Sequence, residues 1–280
     1  MSGIDKKQTT YSLCSSGHRN RRSVQILNLG SSLNIQVTAG RHCLLSGIWP
    51  LELRLQGRAV RMSPWVEICQ YGDDDAEYLE FETRIGKGWR VQRQIILARK
   101  ERFLLLCDAV IGSRPTAIDY RTMLPLGADV QLQPEDETTE VHLYAESPLA
   151  TVIPLSFHEW RQGNPHGSVD AMAKSLVLKQ TTNGKGLFTC LFFNLHPTSI
   201  SDPVTWRQLT VAENLEIQSP DTAVGYRLQI GMKQWLVYRS LAPPSSRTVL
   251  GQNLTAEFVM GRFTRRGELK TLIEVEPDLE

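Results

Sequence analysis

Cysteine is scarce. Five residues in 280, at positions 14, 43, 69, 107 and 190, make an odd, widely spaced set without a CxxC pair. That argues against a disulfide scaffold and a cysteine-rich zinc site, and five free thiols are expected. Cys107 lies in the apolar run Phe103–Cys107, where a cysteine behaves as a small hydrophobe. Long apolar stretches are missing too: nothing approaches the roughly 20 residues of a membrane helix. The opening MSGIDKKQTTYSLCSSGHRNRR lacks the apolar stretch of a secretory leader. The expectation is a soluble, cytoplasmic protein with no membrane partner, in which the Asn253-Leu254-Thr255 sequon is a chance match. Neither charge sign dominates: 31 Lys and Arg against 30 Asp and Glu give a net charge of +1. Such balance argues against nucleic acid as a partner. GxSxG, GxxxxGK[ST] and a strand-to-helix GxGxxG are all lacking, so the chemistries they mark lose their support. His158 and His166 flank Gly163-Asn164-Pro165 without a metal-ligand spacing, and Asp73-Asp74-Asp75 lacks the spaced ligands of a calcium loop. No metal and no cofactor are expected. Sustained 3.6-residue periodicity is lacking as well, and the segment 169–178 is the best helical stretch.

What the sequence has in quantity is a period of two. Leu51, Leu53 and Leu55 alternate with Glu52, Arg54 and Gln56, and Val224, Tyr226, Leu228 and Ile230 share one parity. Alternation of this kind marks half-buried antiparallel strands. Turn residues punctuate them at Gly86-Lys87-Gly88, Gln133-Pro134-Glu135-Asp136, Asn183-Gly184-Lys185-Gly186, Pro243-Pro244 and Arg266-Gly267. The pattern predicts a large all-β sandwich or barrel. Residues 1–22, polar and ending in the basic cluster His18–Arg22, read as a mobile tail, and 23–280 as one domain.

Asp75–Ile111 can be read to the level of register. A turn at Gly86-Lys87-Gly88 sets Ile85 opposite Trp89, Thr83 opposite Val91 and Phe81 opposite Arg93. A second turn at Lys100-Glu101 sets Leu97 opposite Leu104 and Arg93 opposite Asp108. One face is apolar apart from Thr83, Arg93 and Asp108. The other carries Glu80, Glu82, Arg84, Arg90, Gln92 and Gln94, until Phe103, Leu105 and Cys107 make the third strand apolar on both sides. That strand belongs deep in a sheet. Charges on an apolar face need partners, and direct cross-strand neighbours are close enough to pair. Arg93 and Asp108 are therefore predicted to form a buried structural ion pair.

The run Trp89-Arg90-Val91-Gln92-Arg93-Gln94-Ile95-Ile96-Leu97, followed by Arg102–Val110, resembles the β-sandwich domain of heparinase II/III-like polysaccharide lyases. There an arginine-bearing strand leads through a tight turn into an apolar strand ending in Asp-x-Val/Ile. The resemblance implies a large two-sheet antiparallel super-sandwich of the galactose-mutarotase-like, polysaccharide-lyase C-terminal type. Lyases of the family carry a helical toroid ahead of the sandwich, which supplies most of the groups that hold the uronate and remove its proton. Only the short polar tail precedes the strands here, so the expectation is the sandwich without the helical catalytic domain. No family catalytic residue carries over.

Eliminating across a uronic acid needs a Tyr or His base and a neutraliser for the carboxylate. Tyr120, Arg121 and His158 have the residue types, although such neighbours are common on strands. Trp160, set among Glu159, Arg161, Gln162 and Gly163, is the tryptophan expected at the surface. With Arg161 and His166 it forms the ligand-binding candidate set. The reading is a non-catalytic carbohydrate-binding or protein-interaction module, whose partner is a polysaccharide, an oligosaccharide or a protein. The alternative is a carbohydrate-active enzyme, a minimal lyase or sugar epimerase, working in a cleft on the concave sheet. Convergence of His, Tyr, Arg and a carboxylate in one open cleft separates the two.

Overall fold

Alternating sequence becomes strand throughout. The computed structural model describes residues 8–15, 22–162 and 166–277, which form 24 strands and no helix. They arrange as sheets of four, eleven, five and four strands. The amino-terminal sheet holds Thr9–Cys14, Arg22–Asn28, Leu33–Ala39 and His42–Trp49. The eleven-stranded central sheet is built on two long antiparallel strands, Phe103–Pro125 and Ser175–Asn194. Their ladder shifts register between Ile111 and Thr116. Before the shift, Phe103–Pro125 pairs with Trp89–Ala98; beyond it, with Leu51–Leu55.

The stack is four layers deep, a sandwich elaborated on both sides of the central sheet. Leu79, Phe81, Val91, Ile95, Leu104 and Leu106 pack against Val24, Ile26, Ile35 and Val37 of the amino-terminal sheet. The opposite face, with Tyr78, Ile96, Phe103, Leu105, Cys107 and Phe192, packs against Trp206, Tyr226, Leu228, Trp235 and Phe258. These belong to the five-stranded sheet of Val204–Leu209, Ala223–Ile230, Lys233–Ser240, Phe258–Phe263 and Leu269–Val275. Its outer side is partly covered by a small sheet through Val211, Val249 and Leu254. Buried on both faces, the first part of the strand Phe103–Pro125, Phe103–Val110, must be apolar on both parities, as its sequence is apart from Asp108.

The meander 76–111 has the register counted from its turns: Ile85 opposite Trp89, Phe81 opposite Arg93, Leu97 opposite Leu104 and Arg93 opposite Asp108. Gly112 falls opposite Trp89, and any Cβ there would lie 2.5 Å from the indole, so the close approach requires glycine. The polar face of the meander meets solvent only at its Gly86–Gly88 end, where Arg84 and Arg90 are exposed. Glu80, Gln92 and Gln94 are buried beneath the five-stranded sheet.

Three expectations differ from the structure. The segment 169–178 is a hairpin, Gly167–Met172 paired with the start of Ser175–Asn194. Ala173 turns it with φ of 51°, which places Val169, Leu176 and Leu178 together in the core. Asn183–Gly186 is not a turn but the middle of a continuous strand. Its glycines make room for Asp221, whose Oδ2 accepts from the Lys185 amide at 2.9 Å. Within the expected tail, Thr9–Cys14 is a strand paired with Arg22–Asn28, and its Leu13 is buried. Residues 1–7 and 16–21, including most of the basic cluster, lie outside the described residues.

Candidate functional site

The candidate residues of the sequence fall mainly at two polar sites. The first is sealed. Arg93 and Asp108 face each other across adjacent strands between the amino-terminal and central sheets, and neither is exposed. The guanidinium gives Nε to Oδ1 and Nη2 to Oδ2, both at 2.8 Å, and Nη1 to the Trp49 carbonyl at 2.9 Å. The Trp49 and Trp65 rings cover it, with Cζ 3.8 and 4.9 Å from their centroids. Tyr120 donates its hydroxyl to Asp108 Oδ2 at 2.5 Å. Burial, then the nearby carboxylate, pushes that phenol well above its usual range. Tyr120 therefore keeps its proton and serves as a donor.

The second is open: a cleft of about 480 Å³ between the 155–160 loop and strands Val204–Leu209 and Ala223–Ile230. The loop is fastened to the 135–139 segment. Thr139 gives its amide to the Glu159 carbonyl and its hydroxyl to the His158 carbonyl, at 2.9 and 2.8 Å. Arg161 gives its amide to the Glu137 carbonyl and Nε to the Glu135 carbonyl, at 2.9 and 2.7 Å. Buried Trp206 ties loop to strand, with Nε1 on the Phe157 carbonyl at 2.8 Å and its amide on Glu159 Oε2 at 3.3 Å. These bonds hold His158, Glu159 and Trp160 at the rim, with Trp160 57% exposed.

Opposite the loop stand Arg207 and Arg227, directly paired across neighbouring strands. Arg227 bonds Gln229 Oε1 at 3.2 Å; neither arginine forms an ion pair among the described residues. Like charges directly opposite in a sheet repel. An exposed and a half-buried guanidinium lining one cleft with an exposed indole make a surface suited to an anion carried on a ring.

The sequence candidates divide between these places and the outer surface. Of Tyr120, Arg121 and His158, only His158 lines the cleft; Tyr120 is in the sealed cluster, and Arg121 pairs with Glu52 at 3.1 Å. Of Trp160, Arg161 and His166, only Trp160 lines the cleft. Arg161 anchors the loop from behind, and exposed His166 accepts the Thr181 amide on its carbonyl at 2.7 Å. Sequence reasoning did not single out Arg207 and Arg227, whose opposition depends on pairing strands separated in sequence by two short strands, Val211–Glu213 and Glu216–Ile217. Among the described residues no group of three or more His, Cys, Asp or Glu is placed to hold a metal ion. In the Asp73–Asp75 turn, Asp73 Oδ1 accepts the Asp75 and Ala76 amides, each at 2.8 Å. No helix among those residues is long and apolar enough to cross a membrane.

No family model and no curated protein sequence matches the chain. Its fold does recur in solved structures. The heparan sulfate lyase HepC from Pedobacter heparinus superposes with a TM-score of 0.55 at 10% identity, covering 85% of this chain and 42% of that one. The heparinase III BT4657 gene product gives 0.54 at 8% identity, covering 86% and 42%. A further heparinase III structure gives 0.52 at 8% identity, covering 84% and 43%. The chain thus has the β-sandwich fold found in part of heparinase III enzymes, and spans under half the length of those structures. At such identities the likeness is one of fold.

Proposed function

We propose that the protein is a carbohydrate-binding β-sandwich module whose cleft takes an acidic oligosaccharide. The observation that carries this reading is the opposition of Arg207 and Arg227, without a carboxylate partner among the described residues, in the lining of a cleft rimmed by exposed Trp160. An anionic group between the guanidiniums would offset their mutual repulsion and accept charge-assisted hydrogen bonds from both. Trp160 offers a flat apolar face to the C–H side of a sugar ring. Thr205 and Gln208 add neutral hydrogen-bonding groups beside it. The proteins of like fold are named for heparin and heparan sulfate, which supports an acidic glycan as the ligand.

Calorimetric titration with heparan-sulfate-derived and neutral oligosaccharides, at low and high salt, tests the reading. The expected result is binding of the acidic glycan alone, weakened by salt. Arg207→Ala with Arg227→Ala should lower affinity at least about tenfold, the loss of one charged hydrogen bond or more. Trp160→Ala should weaken binding by about 0.5–1.5 kcal/mol. Equal binding of neutral glycans, or a double arginine variant with unchanged affinity, would overturn the proposal.

A second reading, lyase or epimerase, draws on His158 and Glu159 sharing the opening with the two arginines. It gives the cleft a base, a carboxylate and groups to neutralise a uronate. Against it, Tyr120 is sealed elsewhere, and Glu159 already accepts the Trp206 amide. Absorbance from unsaturated uronate products, lost in His158→Ala, would establish the lyase; its absence across acidic polysaccharides is the expected outcome.

A further inference from the structure

All five cysteines are free thiols, but two of them are not isolated. Cys107 and Cys190 stand directly opposite each other on the two long strands of the central sheet. Their Sγ atoms lie 3.2 Å apart, and both residues are buried among the side chains facing the five-stranded sheet. The pair is of the narrow kind. The Cys190 carbonyl accepts the Leu155 amide at 3.0 Å, so it points toward Pro148–Pro154 and away from Phe103–Pro125. Opposed residues whose backbone groups do not bond each other bring their Cα atoms to about 4.5 Å. That spacing falls inside the range disulfides span, about 4.4–6.8 Å.

We propose that Cys107 and Cys190 are a redox modification site, two thiols placed to close into a cross-strand disulfide when a peroxide oxidises them. One thiol sulfur attacks a peroxide oxygen, giving a sulfenic acid and releasing water. The second thiol displaces the sulfenic hydroxyl, forming the S–S bond and releasing a second water. In sum, two thiols and hydrogen peroxide give one disulfide and two waters, with two electrons passing from sulfur to oxygen. Burial pushes the Cys107 thiol well above its usual range, so little thiolate forms and oxidation of the pair is slow whatever the oxidant. The enclosed position admits a small uncharged peroxide and excludes bulky disulfides. The bond would tie together strands 83 residues apart in sequence, next to the cleft, because Leu155 both lines the cleft and donates to the Cys190 carbonyl.

The test uses the full chain with Cys14, Cys43 and Cys69 each changed to serine, exposed to hydrogen peroxide while folded. Both remaining thiols should disappear together, with the intact mass falling by two hydrogens, no covalent dimer, and full recovery in dithiothreitol. Adding Cys190→Val to that background should abolish the mass loss. In the wild-type chain, tryptic mapping should find the peptides starting at Phe103 and Gly186 joined, which keeps the test independent of the serine variants. Two thiols still titratable after unfolding, or a mass gain from added oxygen in place of the loss, would overturn the proposal.

Discussion

Arg93 and Arg239 are both without exposed surface, one on each face of the central sheet, and they are built to different standards. Arg93 has a bidentate carboxylate, a backbone carbonyl and two indole faces. Arg239 reaches from the five-stranded sheet to Glu257 Oε1 at 2.5 Å and to Gln92, all through Nη2. Its Nε and Nη1 have no hydrogen-bond partner among the described residues. Beside it lies a network in which Tyr78 donates to Glu80 at 2.6 Å and accepts from Gln94 at 2.8 Å. Burial raises the Glu80 carboxyl there, while Arg239 opposes that shift. A saturated buried charge fixes one arrangement of its layers, whereas a half-satisfied one retains a desolvation cost. The amino-terminal interface is therefore the one specified by a charge pair.

The largest effect is expected at the saturated site. Arg93→Met should destabilise by about 3–5 kcal/mol, because it leaves Asp108 buried with Tyr120 as its main donor. Urea unfolding monitored by tryptophan fluorescence measures it, since Trp49 and Trp65 flank the site. Changing both partners to apolar residues of similar volume should be milder than either single change. A double variant as unstable as the worse single one would mean that packing of the guanidinium between the indoles, not the ion pair, holds the layers.

On the other face, Arg239→Met should cost about 1–2 kcal/mol at most. It removes two unsatisfied buried donors along with the bonds to Gln92 and Glu257, and partly exposed Glu257 can turn to water. A loss as large as that of Arg93→Met in the same unfolding assay would erase the contrast between the two faces.

The same contrast separates what the sequence discloses from what it conceals. Arg93 and Asp108 sit in one continuous meander with two short turns, so counting residues gives their register. Arg239 and Gln92 lie 147 residues apart in different layers, and no local pattern links them. Glu80, Gln92 and Gln94 alternate like a solvent face, yet another sheet covers them. The cleft is legible only in part. His158 and Trp160 stand out in a polar loop, whereas Arg207 meets Arg227 through a strand pairing that skips the segment 211–217. The hairpin at 172–175 hides because alanine, which gives no turn signal, takes the positive φ.

The smallest effect lies at the surface, where ion pairs gather without a sealed core. Asp75 meets Lys100 at 2.5 Å and Lys270 at 2.9 Å, joining the start of the meander and its turn at Lys100 to the last strand, Leu269–Val275. Hydrogen bonds from these two lysines lower its carboxyl from 3.8 to about 2. A carboxyl held lower in the folded chain binds its proton less readily than in the unfolded chain. Its contribution is therefore complete above pH 3.8 and disappears as the pH falls through about 2. Solvent screening limits it to roughly 1 kcal/mol or less, as for other surface pairs. Asp75→Asn should lower stability by that amount at pH 7, and the gap from wild type should close as pH drops from about 4 to 2. Urea midpoints across that range measure it, and a gap unchanged at pH 2 would assign the loss to the turn's backbone geometry, not to the charge.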